Sequence, residues 1–296
     1  MNTKNILYGA GIMMLFLTSC DKEENLTPSG IKENYFAVPE DAMDEESVLR
    51  RNFYEQEKVY LLFNDTLRHE KTGIDRNGNT VYFTETVDLS YQMTVSTSSK
   101  YTFNYIPTLE KKQEFTTFIL NKVLESLPEQ LYPYSLLLVD SIKRYEKNTQ
   151  TGTYAFYAYE SLIIGSRCTA IARNDFDKMS ATEKEDFGLT LKAQILASII
   201  DVSEYTIFDN YGISYWNWPL TSKPMVGDVR EVGFLKPYYY GTRAYFPSRE
   251  LDRQHYIELY LSKTEAEILK EYAEYPIVLE KYALIKEIMA NVGFTN

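Results

Sequence analysis

Apolar residues recur at helical spacing most densely over residues 186–203. Phe187, Leu191, Ile195, Ile199 and Val202 form one row, and Leu189, Ala193, Leu196 and Ile200 a second beside it. Two adjacent rows predict a central, mostly buried helix. Its polar residues fall in one stripe, Thr190, Gln194, Ser198 and Asp201, with Lys192 to one side. Ser180 followed by Glu183, and Thr182 followed by Glu185, have the spacing of a capping box and set the helix start near Ser180 or Thr182.

The pattern before this helix predicts strands over residues 31–105. Apolar runs at 59–63 and 81–83 flank residues 75–79, whose Asn77-Gly78 is a hairpin signal, and strand-like Thr, Val and Tyr density continues over 84–95. A helix is predicted at 110–126, with Phe115, Phe118, Ile119, Val123 and Leu127 on one face and Pro128 just past its end. The continuous apolar run at 135–139 predicts a central strand. Residues 154–159 and 162–172 add strands, the second as a strand or a strand-turn-strand. After the central helix, residues 209–224 read as a loop holding Tyr211, Tyr215, Trp216 and Trp218, and 234–246 as strand or extended loop. Helices are predicted at 248–261, with Ser248 as cap, at 263–273, and at 276–292, where Ile277, Leu279, Tyr282, Leu284, Ile285, Ile288 and Met289 supply an apolar face. The fold class is α+β: a β-rich N-terminal half, a central buried helix and C-terminal helices.

Composition narrows the function classes. A chain of 296 residues can bury a sizeable core, as one large domain or two closely packed ones. A formal net charge of -11 argues against nucleic acid, whose phosphates want a basic surface. With 26 Tyr, either some present a sugar- or peptide-binding surface or they serve strands and half-buried faces. The sequence has no P-loop, dinucleotide fingerprint, paired-cysteine zinc spacing or EF-hand loop. Glu45-Glu46 and Glu183 with Glu185 lie in charged segments and do not form a glycosidase dyad.

Residues 1–19 have the form of a signal peptide: Lys4, an apolar run from Ile6 to Leu17, then Leu17-Thr18-Ser19-Cys20. A cysteine placed there resembles a bacterial lipobox, whose cysteine is lipidated after cleavage, so Cys20 is the expected lipidation site and membrane anchor. The acidic Asp21-Lys22-Glu23-Glu24 either resembles a surface-export signal or is a solvated tether, and residues 20–32 are expected to be a lipidated flexible linker. The folded part is then 33–296, undivided or as a β-rich 33–107 followed by α+β 108–296. With Cys20 consumed, Cys168 has no disulfide partner and is expected as a buried structural thiol.

From about Glu33 to the C-terminus the chain resembles the substrate import-associated zinc metallohydrolase lipoproteins, also called putative zinc-binding metallopeptidases. Residues 115–140, the central helix, Gly233 to Tyr238 and the tail from Tyr256 to Met289 carry the resemblance. It implies a zincin-like metallopeptidase fold, in which the central helix holds HExxH, two zinc-binding histidines and a glutamate base. The register given by the resemblance places Ala193-Gln194-Ile195-Leu196-Ala197 there. Alanine has no lone pair and a glutamine amide takes no proton at neutral pH, so no catalytic residue and no metal cofactor are expected at Ala193, Gln194 and Ala197.

The resemblance puts the third zinc ligand within Asp252-Arg253-Gln254-His255, with His255 at the ligand place; the other reading of His255 is a solvated surface histidine. His69, in Arg68-His69-Glu70-Lys71, reads as an exposed strand end. Tyr215, Trp216 and Trp218 are candidates for a retained ligand surface or else plug the core against the central helix.

The expected function is a non-catalytic outer-membrane lipoprotein, lipid-anchored through Cys20 and exposed at the cell surface, acting as an accessory or binding component of nutrient import. A TonB-dependent transporter and its surface lipoproteins are the implied partners. The alternatives are a hydrolase whose metal is held by His255 with carboxylates such as Asp201 or Glu204, and a structural surface protein that binds other proteins.

Overall fold

Where the residue pattern predicts strands, the described chain begins with a helix, α1 (Glu45–Glu57). Only Phe53 of it is buried, so its apolar period is faint. Its start is set by Asp44, whose carboxylate accepts a hydrogen bond from Ser47 N at 2.9 Å. Such a cap is worth about 1 kcal/mol. The computed structural model describes residues 34–89, 99–221 and 227–294. The leader, Cys20 and the tether lie outside the described residues, as do the ends of the stretches expected at 84–95 and 209–224.

Strand β1 (Tyr60–Leu62) is followed by β2 (Thr66–Ile74) and β3 (Thr80–Thr86), which pair antiparallel across the Asn77-Gly78 turn. The partner of β3 is therefore β2, and not the apolar run 59–63 named by its hydrophobicity. Val59, Leu61, Leu62 and Phe63 are buried, so that run belongs in the interior, whereas β2 and β3 contain no buried residue.

Next come β4 (Ser99–Asn104) and α2 (Leu109–Ile119), which widens into a π turn at Leu120–Leu124 where the pattern predicts unbroken helix. Strands β5 (Ser135–Val139), β6 (Ser141–Lys147), β7 (Tyr154–Glu160), β8 (Leu162–Ile164) and β9 (Thr169–Ala172) precede α3 (Ala181–Ile199). The chain continues through α4 (Thr206–Asn210), the short hairpin β10 (Tyr238–Tyr240) and β11 (Arg243–Tyr245), then α5 (Arg249–Ser262), α6 (Glu265–Glu271) and α7 (Pro276–Asn291).

The central sheet has the order β1-β5-β9-β8, with β1, β5 and β9 parallel and β8 antiparallel at the edge. Successive side chains of a strand point to opposite faces. Leu136 and Leu138 of β5 accordingly enter the helical core with Leu61 and Ile171, and Leu137 and Val139 enter a second core with Leu62, Ala170 and Cys168. Both faces are covered, which is why 135–139 carries no polar alternation. Each leucine so buried contributes roughly 1.5–3 kcal/mol.

The pairing of β1 with β5 and of β4 with β6 ties residues before 107 to those after it. From Phe36 onward the chain is one compact unit. The fold is α+β with several small sheets, and among the described residues no helix is long and apolar enough to cross a membrane.

Helix α3 starts where the sequence places it. Ser180 Oγ accepts from Glu183 N at 3.3 Å while Glu183 accepts from Ser180 N at 2.8 Å, a closed capping box. Phe187, Leu191, Ile195 and Leu196 are buried, but the helix ends at Ile199 and Val202 is 59% exposed. The predicted apolar row thus runs one turn too far, because Asp201 caps a new 3-10 turn by accepting from Ser203 N at 2.8 Å.

Candidate functional site

A cleft of about 420 Å³ opens between the edge strand β8, helix α3 and helix α5. Leu162 and Ile164 of β8, with Glu160 and Ser161 at the β7–β8 corner, form one wall. Gln194, Ala197 and Ser198 of α3 form the floor, and Glu250 and Gln254 of α5 the far wall. Residues three and four apart share one helix face, so the stripe Thr190, Gln194, Ser198 seen in the sequence is the side of α3 turned to this cleft at Gln194 and Ser198. Among the described residues, Gln194 Oε1 is shielded from water and has no hydrogen-bond partner. Gln254 Nε2 donates to Glu258 at 2.8 Å.

The structure separates the residues that the HExxH register groups together. Ala197 and Gln194 line the cleft, but Ala193 is fully buried in the main core. The pair four residues apart that faces the cleft is Gln194 and Ser198. Across from them stands Gln254, and not His255.

His255 is not the solvated surface histidine of one reading, and among the described residues no ligand set gathers around it for the other. It is only 5% exposed, on the inner side of α5, and its Nδ1 has no partner among the described residues. Burial, helped by the charges of Lys236 and Lys281, holds the imidazole down at about 3, so it is neutral at physiological pH. Asp201 and Glu204 do not join it: Asp201 caps its own 3-10 turn, and Glu204 accepts from Asn291 Nδ2 at 3.4 Å. Among the described residues no three His, Cys, Asp or Glu side chains gather as a metal-binding set. His69 lies exposed within β2, stacked on Tyr82 with ring centroids 4.5 Å apart.

Behind the far wall lies a buried charge pair that the sequence reading did not single out. Lys281 Nζ contacts Asp252 Oδ2 at 2.8 Å and Oδ1 at 3.0 Å and donates to the Gly233 carbonyl at 2.8 Å. The rings of Phe208, Tyr256 and Phe234 surround the ammonium at 4.5, 4.6 and 4.7 Å, a cation–π cage. Gly233 has φ 84°, and an added Cβ would stand 2.5 Å from Ile277 Cγ2, so only glycine presents its carbonyl here. Burial pushes the Asp252 carboxyl up and the Lys281 amine down, and their mutual attraction opposes both shifts. Beside them Arg253 is paired with Asp209. A signal was present: Lys281 falls among Val278, Tyr282, Ile285 and Met289 on the buried face of α7.

The aromatic candidates separate as well. Tyr215 and Trp216 pack on Phe234, Phe246 and Val229 in a small core of their own, not against α3. Trp216 Nε1 donates to Asp252 Oδ2 at 3.4 Å, which completes the buried pair. Trp218 is 47% exposed. None of the three lines the cleft. Cys168 is buried, with its thiol pushed up to about 12 by desolvation.

The cleft can therefore hydrogen-bond a ligand through amides, a hydroxyl and the outer edge of β8. Glu160 is engaged by Arg144 at 2.8 Å and Glu250 by Arg249 at 3.2 Å. No family model matches the chain, and no curated protein or solved structure matches it significantly.

Proposed function

We propose that this chain is a non-catalytic lipoprotein with a zincin-like fold, anchored to the outer membrane through acylated Cys20 and exposed at the cell surface. In this reading it is an accessory or binding component of a nutrient-import system, working beside a TonB-dependent transporter and its surface lipoproteins. The observation that carries it is the chemistry of the cleft floor. The polar side chains that line the cleft from α3 and α5 are Gln194, Ser198, Gln254 and Glu250, and Glu250 is engaged by Arg249. Amides and a hydroxyl donate and accept hydrogen bonds without acting as bases near neutral pH, and the two carboxylates of the walls, Glu160 and Glu250, are each paired with an arginine. They suit the retention of a polar ligand. An edge strand beside them can extend the same contacts through its main chain.

The test is metal content together with hydrolysis, on protein purified without chelator and without a histidine tag. The expected result is less than about a tenth of an equivalent of any transition metal and no cleavage of a mixed peptide library. Near-stoichiometric zinc, with peptide cleavage abolished by chelator, would overturn the reading.

A further inference from the structure

The β2–β3 hairpin presents apolar side chains to solvent. Its sixteen strand residues include none that is buried, and apolar side chains stand out from it: Ile74 is 64% exposed, Tyr82 52%, Phe83 45% and Val81 43%. The arm closes at its base where Val87 N donates to Asp65 O at 2.7 Å. A two-stranded hairpin alone is marginally stable in water, and three or more strands are needed for independent stability.

Its two outer edges differ. The outer edge of β2 is spoiled for further pairing, with register breaks between Thr66 and Arg68 and between Lys71 and Gly73, and with basic Arg68 and Lys71 along it. Bulges and charges of that kind keep strangers off a sheet edge. The edge of β3 has neither. Its seven residues, Thr80 to Thr86, include no proline, glycine or basic residue, and its single charge, Glu85, lies 3.7 Å from Arg68 of the same hairpin. No strand lies against that edge among the described residues.

We propose that β3 is a dimerisation edge, pairing antiparallel with β3 of a second copy about a twofold axis at Phe83 and joining two hairpins into one four-stranded sheet. The residue order fits such a self-pairing. With Phe83 opposite its own copy, Tyr82 meets Thr84, Val81 meets Glu85 and Thr80 meets Thr86, so no like charges oppose each other. The aromatic and threonine content is that of well-formed cross-strand pairs. Charge does not oppose a second copy. The chain carries -11 overall, yet over residues 66–86 three basic residues, Arg68, Lys71 and Arg76, balance three acidic ones, Glu70, Asp75 and Glu85. Two acidic molecules can therefore meet at this arm without the repulsion that the whole chain would impose. The twofold makes the contact isologous, so it closes at two copies and does not run on into a filament.

The test is sedimentation velocity of the full chain in detergent micelles, with and without the double substitution Val81→Lys and Phe83→Lys. Both positions are exposed, so the variant is expected to keep its circular dichroism while its dimer weakens by more than about tenfold. In a second experiment, Phe83→Cys is expected to give a disulfide-linked dimer on mild oxidation, because opposed residues bring their Cβ atoms within reach of a bridge, whereas Ile74→Cys, at the far end of the partner strand, is not. A wild-type chain that stays monomeric at micromolar concentration, or a dimer unchanged by the two lysines, would overturn the proposal.

Discussion

Lys281 Nζ lies 2.8 Å from Asp252 Oδ2 with both side chains wholly shielded from water, and the Gly233 carbonyl and the Trp216 indole complete their hydrogen bonding. The pair joins α7, α5 and the loop at Gly233 through one ammonium. Removing one partner strands the other as an unpaired buried charge, which typically costs about 3–5 kcal/mol. Lys281→Met is expected to lose stability on that scale in urea unfolding. Adding Asp252→Asn to it should return part of the loss, because the stranded carboxylate is then gone. A single substitution within about 1 kcal/mol of wild type would mean that the pair is not held desolvated.

His255 makes stability depend on pH. Its folded-state value of about 3 lies below the unfolded value near 6.5. The unfolded chain therefore binds more protons between those values, and stability rises with pH across that window. The contribution is complete above the unfolded value and is lost as pH falls toward about 3, at roughly 1.4 kcal/mol per pH unit. Unfolding free energies from urea titrations at neutral pH and near pH 5 should differ by about 2 kcal/mol more in wild type than in His255→Phe. Equal slopes in the two proteins would show that the imidazole titrates alike in the folded and unfolded chain.

The strongest periodic signals were the most legible. The capping box, the buried row of α3 from Phe187 through Leu191 to Ile195, the apolar run of β5 and the hairpin turn all stand where the residues put them, because each is fixed by local spacing. The polar stripe of α3 was legible as a stripe, and the cleft gives it a role at Gln194 and Ser198. Other features depended on partners distant in sequence. Helix α1 has one buried side chain and rests on its cap. His255 reads as a surface residue until the body of the fold buries it, and Asp252 looks like part of a polar stretch until α7 delivers Lys281. Pairing across thirty residues is invisible to a pattern of seven.

Gly212 is required by a close approach. A Cβ there would fall 2.4 Å from Trp216 Nε1 and 2.6 Å from Cε2 of the same ring, which has no flexible end to swing away. Gly212→Ala must therefore move the indole off Asp252. A cost of about 1–3 kcal/mol is expected, the usual price of overpacking, with a red-shifted tryptophan emission as Trp216 loses its packing. Unchanged emission would mean that the loop shifts as a whole.

Cys168 is 2% exposed and its thiol is held up at about 12. The thiolate is the reactive form, so native protein should not react with a disulfide reagent at pH 8 over the time in which urea-unfolded protein reacts fully. Stoichiometric labelling of folded protein would place this thiol on an accessible surface.

The cleft makes a sharper demand on the register of α3. Two histidines at i and i+4 can hold zinc only if both face the same space. Gln194 and Ser198 do face the cleft, whereas Ala193 is buried in the core and Ala197 alone reaches the opening. Gln194→His with Ser198→His should therefore create a zinc site, read by isothermal titration and by a rise in melting temperature on adding zinc, since a ligand that binds only the folded state stabilises it. Gln254→Glu should strengthen that site by adding a carboxylate from the opposite wall. Ala193→His with Ala197→His should bind no zinc and should lose about 1–3 kcal/mol, because the first imidazole is forced into a filled core. The reverse outcome, zinc on the alanine pair and none on the Gln194 and Ser198 pair, would show that α3 is turned by a residue from the orientation described.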